Sequence, residues 1–227
     1  LNDKTRLASA EVANRSKRTP TPASLKRRQR NQEKKRAAIL EASLRTFSQF
    51  GLHGASLDQI AAEADVSKTN LLYYFPTKEA LYVQVMRELL SLWLMPLSGF
   101  NEDQNPLEAL REYIRIKLEF SRDNPAESRL FCMEILQGAP LLLAELQQPL
   151  HDRVQAKVAV IQSWIDSGKL KPIDPYHLIF SIWATTQHYA DFRVQIEAVA
   201  GRTLDDPDFF ADTLRNLQAL LVDSLKP

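Results

Sequence analysis

The stretch from Ser56 to Phe75, SLDQIAAEADVSKTNLLYYF, constrains this chain more tightly than any other. Ser56 with Gln59 is the pattern of a capping box: the hydroxyl accepts from the Gln59 amide and the Gln59 side chain reaches back. Leu57, Ile60, Ala61 and Ala64 then recur at helical spacing. Asp65 tolerates a left-handed backbone, Val66 supplies the apolar plug of a tight corner, and Ser67 caps a second helix running to about Tyr74. Two short helices joined in this way are either a helix-turn-helix or an αα corner inside a larger helical protein. In the first case the second helix offers its opening turn to base edges. Lys68, Thr69 and Asn70 would then face bases, Tyr73, Tyr74 and Lys78 would take phosphates or sugars, and Ser56 is a further candidate DNA contact. The spacing by itself leaves both alternatives open.

At 227 residues the chain can bury a real core as one domain or two small ones. Its 44% hydrophobic and 25% charged residues are ordinary for a globular protein, and 6 Gly against 12 Pro fit helices punctuated by prolines. No run of about 18 apolar residues offers a membrane span, and the polar, basic start does not read as a signal peptide, so the expected compartment is the cytoplasm. Cys132 is the single cysteine, which excludes an internal disulfide and, with four scattered histidines, gives no metal cluster. Neither metal nor cofactor is expected. The net charge of +1 hides an asymmetry: residues 1–30 hold nine Lys and Arg against Asp3 and Glu11, a net +7, leaving −6 for the rest. A basic tail on an acidic body points to a polyanion partner at one end.

Residues 1–30 lack an apolar period and read as an arm that is disordered in isolation. Leu1–Asn14 is expected to be merely solubilising, while Lys26–Arg36 is expected to touch DNA. Gln32–Phe50 is predicted as an amphipathic helix with Ile39, Leu40, Ser43, Leu44 and Phe47 inward, ending at Gly51. Thr77 should cap a long helix from Lys78 to about Met95, ended by Pro96. Helical blocks over 106–122, 126–137 and 141–166 follow, separated by Asn124-Pro125 and Gly138-Ala139-Pro140. Asp174-Pro175 and Asp206-Pro207 each place an N-cap before a proline at the first helical position, starting helices expected to run to about Ala200 and to the C-terminal Leu225. No alternating strand pattern occurs. The expected fold is all-α, with an arm over 1–30, a DNA-binding domain over 31–77 and a second helical domain over 78–227.

Tyr176–Phe192, YHLIFSIWATTQHYADF, carries a wide apolar face that meets Gln187 one turn after Trp183, with His188 and Asp191 close by. A buried primary amide needs partners for its carbonyl and its NH₂. A small planar ligand with adjacent C=O and N–H groups would supply them, packed on Trp183; neighbouring helices or a dimer seam would serve equally. Catalysis is not expected. His188 and Asp191 lie one helical turn apart, but no nucleophile elbow, phosphate loop or metal-spaced His pair accompanies them.

Phe47-Ser-Gln-Phe-Gly51 before the central stretch and Lys78-Glu-Ala-Leu81 after it complete a longer pattern: F-x-x-x-G, S-L-x-x-I-A, V-S-x-x-x-L, Y-Y-F, K-E-A-L. Over about Lys34 to Val85 this closely resembles the DNA-binding domain of the TetR family of transcriptional regulators. The sequence departs from that family's habit in carrying Asp65 where Gly is common and Leu72 where Tyr is common, which leaves Tyr73 and Tyr74 for phosphates. SRLFCMEIL at 128–136, SGKLKPIDPYHLIF and IWATTQHYADF extend the resemblance to the branch of the family that regulates pyrimidine use. The resemblance implies a homodimer joined through the last two helices, a palindromic DNA operator, and release from DNA by a small effector, uracil or thymine. It places that effector among Trp93, Lys117, Phe120, Trp183, Gln187 and His188, with Lys117 equally readable as a solvated helix charge. The alternative is a TetR-type repressor answering another molecule, such as a lipophilic efflux substrate.

Overall fold

The computed structural model describes residues 21–227, and all regular structure among them is helical. The segment Leu1–Asn14, expected to be solubilising, and the charges from Lys4 to Arg18 lie outside the described residues. The chain divides after Ala38 into two units, 1–38 and 39–227.

The first helix, α1 (Pro22–Gly54), starts well before Gln32, so Lys26–Arg30 stand on a helix rather than on an irregular arm. Thr21 Oγ1 accepts the Ser24 amide at 3.3 Å, and Pro22 sits where its missing N–H goes unneeded. Within this first unit Gln29 bonds Glu33 one turn on, at 3.1 Å. At its far end α1 is interrupted by Gly51 (φ 68°, ψ 179°), a conformation a side chain would resist.

The second unit contains two apolar cores. One gathers Ile39, Phe47, Ile60, Leu71, Leu81 and Met86 with Leu130 and Leu142. It therefore holds together the end of α1, α2 (Leu57–Glu63), α3 (Lys68–Tyr74) and the first half of α4 (Lys78–Ser98). The other core gathers Leu97, Leu110, Tyr113, Ile114, Trp164, Ile179, Ile182 and Leu217. It joins the end of α4 to α5 (Pro106–Asp123), α8 (His151–Asp166), α9 (Pro175–Asp191) and α11 (Pro207–Leu221). The proline-first starts expected at Asp174 and Asp206 are present and Asn105 makes a third, each cap accepting two amides of its helix.

Several boundaries differ from the sequence expectation, among them the last helix, which ends at Leu221 and is followed by a 3₁₀ turn over Asp223–Leu225. Pro96 lies inside α4, which continues to Ser98, because buried Leu97 fastens its last turn to the second core. The block 141–166 is broken into α7 (Leu143–Glu145), a π turn (Leu146–Leu150) and α8, since Pro149 has no N–H for the regular ladder. The helix from Pro175 stops at Asp191, and α10 (Arg193–Ala200) begins after Phe192 (φ −111°, ψ 26°). There Arg193 pairs with Asp205 at 2.6 Å, drawing the new helix onto the following loop. After α5 comes α6 (Pro125–Leu136), which packs against α9 and is closed by Gly138 at φ 88°.

Candidate functional site

Local chemistry builds the α2–α3 pair. Both bonds of the Ser56–Gln59 capping box are present, at 3.2 and 3.0 Å. At the other end Val66 N–H donates to Ala61 O at 3.0 Å and Asp65 N–H to Ala62 O at 3.2 Å, a Schellman closure around Asp65 at φ 52°. Asp65 thus fills the position where the resemblance expects Gly. Ser67 accepts the Asn70 amide at 3.1 Å and opens α3, while Leu71 anchors it with no exposed surface. Glu63 locks α2 to α1 by accepting from Thr46 at 3.0 Å and pairing with Arg45, which holds its carboxyl below the usual range.

Lys68, Thr69 and Tyr73 are exposed on α3, and Asn70 and Tyr74 are half-buried. The Tyr73 and Tyr74 rings meet edge to face at 5.3 Å. Lys68 reaches Asp58 at 2.8 Å, a surface pair worth under about 1 kcal/mol and readily exchanged for a phosphate or base. Lys78 donates to the Ala55 carbonyl at 3.0 Å, fixing the start of α4 beside the start of α2. Ser56 serves as the cap of α2 and is partly buried.

A second locus is a small cavity of about 50 Å³, lined by Leu90, Trp93 and Leu94 of α4, Lys117 of α5, Phe131 of α6, Leu150, and Trp183 and Gln187 of α9. Four residues singled out in the sequence therefore converge here, while Phe120 and His188 are not among the lining. His188 instead stacks on Phe192, with ring centres 4.9 Å apart. Lys117 is buried, not solvated, and its Nζ lies 5.7 Å from the centre of the Trp93 ring. Burial pushes its pKa down to about 8 against the opposing pull of Asp191. Trp93 meets Phe131 edge to face at 5.0 Å, and Trp183 Nε1 donates to Tyr113 Oη at 2.6 Å, so the Trp183 ring is held by its polar edge. Among the described residues neither the Lys117 ammonium nor the Gln187 amide makes a hydrogen bond to another residue.

Asp191 belongs beside this locus rather than with His188. It accepts from Ser128 Oγ at 2.6 Å, and it hydrogen-bonds the Cys132 thiol, whose pKa is raised to about 11 by burial and by the Asp191 carboxylate. The charge of Asp191 also opposes the downward shift of Lys117. Sequence reasoning missed Leu90, Leu94, Phe131 and Leu150, because an apolar residue lining a cavity looks the same in a sequence as one filling a core. A weak signal existed for Leu150, since Pro149 forces an irregular turn, and such turns recur at functional sites. The described residues contain no group of three or more His, Cys, Asp or Glu placed to hold a metal, and none of their helices is long and apolar enough to cross a membrane.

Comparison with known proteins follows the same division. Residues 39–85 match the family described as "Bacterial regulatory proteins, tetR family", and residues 86–227 match "YcdC-like protein, C-terminal region". The chain is 58% identical over 201 residues to the HTH-type transcriptional regulator RutR of Escherichia coli (strain K12), covering 88% of this chain and 95% of that one. A putative transcriptional regulator from Streptomyces coelicolor superimposes with a TM-score of 0.68 at 25% identity, covering 85% of this chain and 99% of that one. A Clostridium perfringens putative fatty acid metabolism regulator gives 0.65 at 22% identity, covering 82% and 97%.

Proposed function

The chain belongs to the TetR family of helix-turn-helix transcriptional regulators, and from that premise we propose that it is a pyrimidine-responsive regulator whose DNA affinity falls when uracil or thymine enters the cavity beside Trp183 and Gln187. Its relatives are regulators and not enzymes, and regulators of this type bind operator DNA, usually as dimers. The observation that carries the effector reading is a pair of polar side chains without hydrogen-bond partners among the described residues, Lys117 and Gln187, facing one small cavity between Trp93 and Trp183. An oxo-pyrimidine presents alternating C=O and N–H groups around a flat ring. The Gln187 amide complements one C=O/N–H edge, the Lys117 ammonium suits a second carbonyl, and the two indoles suit the ring faces. The resemblance to the pyrimidine branch of the family points the same way.

At about 50 Å³ the cavity holds three or four water-sized groups and falls short of a six-membered ring with two carbonyls. A ligand of that size must favour a conformation in which the lining has moved apart. That differential affinity is what a release mechanism needs. Helix α4 is the plausible lever: Lys78 in its first turn is tied to Ala55 at the helix-turn-helix, and Trp93 lines the cavity about 22 Å further along. A lipophilic efflux inducer fits less well, since a buried ammonium and a free amide would lose water without gaining a partner.

The same reading gives a homodimer on a palindromic operator, because one recognition helix covers too few bases for useful specificity. Phe180, Phe192, Val194, Val199 and Leu220 leave apolar side chains exposed on the final helices, which supports a seam there. Lys68, Thr69 and Asn70 are assigned to bases and Tyr73, Tyr74 and Lys78 to the backbone, with the basic helical segment Lys26–Arg36 adding phosphate contacts. Calorimetry with uracil, thymine, cytosine and uridine tests the effector. Uracil and thymine should bind and uridine should not, for want of room. Replacing Gln187 with Leu should remove oxo-pyrimidine binding and leave operator binding intact. A Leu variant that binds uracil normally refutes the site.

A further inference from the structure

A larger cleft lies apart from both of these loci, between the last turns of α1 and helix α6, with Tyr82 of α4 at its floor. It measures about 380 Å³, the scale of a small-molecule site. Phe47, Phe50, Leu130 and Met133 give it apolar walls. Polar side chains also line it: Ser48, His53, Tyr82, Arg129, Glu134 and Gln137. Ser48 Oγ is buried and has no partner among the described residues. Glu134 is only 4% exposed; its Oε1 accepts from the Leu141 amide at 2.9 Å and its Oε2 from Tyr82 Oη at 3.2 Å. Burial and the adjoining carboxylate push the Tyr82 hydroxyl up, which keeps it a donor. No cationic side chain among the described residues pairs with Glu134, although Arg129 stands at the rim. A buried carboxylate bonded only by neutral donors retains uncompensated charge and further lone pairs.

We propose that this cleft is a second small-molecule site, selective for a compact apolar cation: a flat or branched apolar body between Phe47, Phe50, Leu130 and Met133, and an ammonium or amidinium group on Glu134 within reach of Ser48. The inference is independent of the pyrimidine reading. Its regulatory interest lies in α6, which lends Leu130 and Glu134 to this cleft and Phe131 to the effector cavity. An occupant here rests against α6 on one side and, on the other, against the end of the helix that precedes the helix-turn-helix.

The test uses the full chain and benzamidine as probe, with benzamide and benzoate as its neutral and anionic counterparts of similar outline. Titration followed by ligand NMR or calorimetry should show saturable benzamidine binding, at least about tenfold tighter than benzamide, with no benzoate binding. Glu134→Gln should weaken benzamidine by about tenfold or more. Because Glu134 also accepts from Tyr82 and Leu141, Met133→Trp gives a second variant: this half-exposed side chain enlarged would fill the cleft, block the probe and leave the melting temperature in place. Arg129→Glu should tighten binding by removing a like charge from the rim. Gln187→Leu should leave benzamidine affinity unchanged, which separates this site from the effector cavity whatever becomes of uracil. Equal affinity for benzamide, no saturable binding, binding that survives Met133→Trp, or loss of binding in Gln187→Leu would each overturn the proposal.

Discussion

The helix-turn-helix and the cavity beside Trp183 treat polar side chains in opposite ways. Around α2 and α3, Ser56, Gln59 and Ser67 are used up satisfying helix ends, and Glu63 is closed by Thr46 and Arg45. Of the polar groups that remain, Thr69 is exposed and Lys68 is held only by a surface pair with Asp58, where a duplex would meet them. Around the cavity, Lys117 is buried and Gln187 half-buried, and neither makes a hydrogen bond to another described residue. The first arrangement is complete before any partner arrives, so it can present a fixed surface to bases. The second is incomplete in a way that costs stability and that a ligand can relieve. A regulator needs both: a reading surface that does not change with its occupant, and a core that does.

The sharpest way to break this contrast is to remove the anchor of the reading surface. Leu71 is fully buried beneath α3, so Leu71→Ala should cost about 2–5 kcal/mol and abolish operator binding in a mobility-shift assay. Calorimetric binding at the cavity should survive at temperatures where the second core remains folded. Loss of both together would mean that the two cores melt as one.

The next largest effect concerns Lys117, whose pKa sits near 8 in the folded chain against an ordinary value near 10.5. Below pH 8 the side chain is charged in both states and the full burial penalty applies. Between about pH 8 and 10.5 the unfolded chain binds more protons, so this group's contribution to stability rises with pH. Lys117→Met should therefore stabilise the protein at pH 7 by up to about 3 kcal/mol, flatten that rise, and weaken uracil. Denaturant midpoints from pH 6 to 10 decide it.

Smaller again, Asn70→Ala should cost about 1–3 kcal/mol at particular operator positions and little on random DNA, measured by competition across single-base operator variants. Equal loss on both would place Asn70 on the backbone instead. Smallest is Ser67→Ala, which removes the cap of α3 and should lower thermal stability by about 1 kcal/mol while leaving uracil affinity alone.

Some of this molecule was legible residue by residue. The capping box at Ser56, the left-handed turn at Asp65, the Ser67 cap and the Asp-Pro helix starts are local bonds between residues at most a few positions apart, so a sequence specifies them directly. Amphipathic spacing likewise determined that the chain is helical and placed Phe47, Ile60 and Leu71 inside. Tertiary packing decided what locality could not. It carried α4 past Pro96 because Leu97 is buried, and turned the chain at Phe192. It buried Lys117 under Trp93, turned Trp183 toward Tyr113, stacked His188 on Phe192 and set Asp191 against Ser128. Each of those depends on which of several faces of one helix meets which neighbour far away in the chain, and that choice is made by the packing of whole helices, not by any short run of residues.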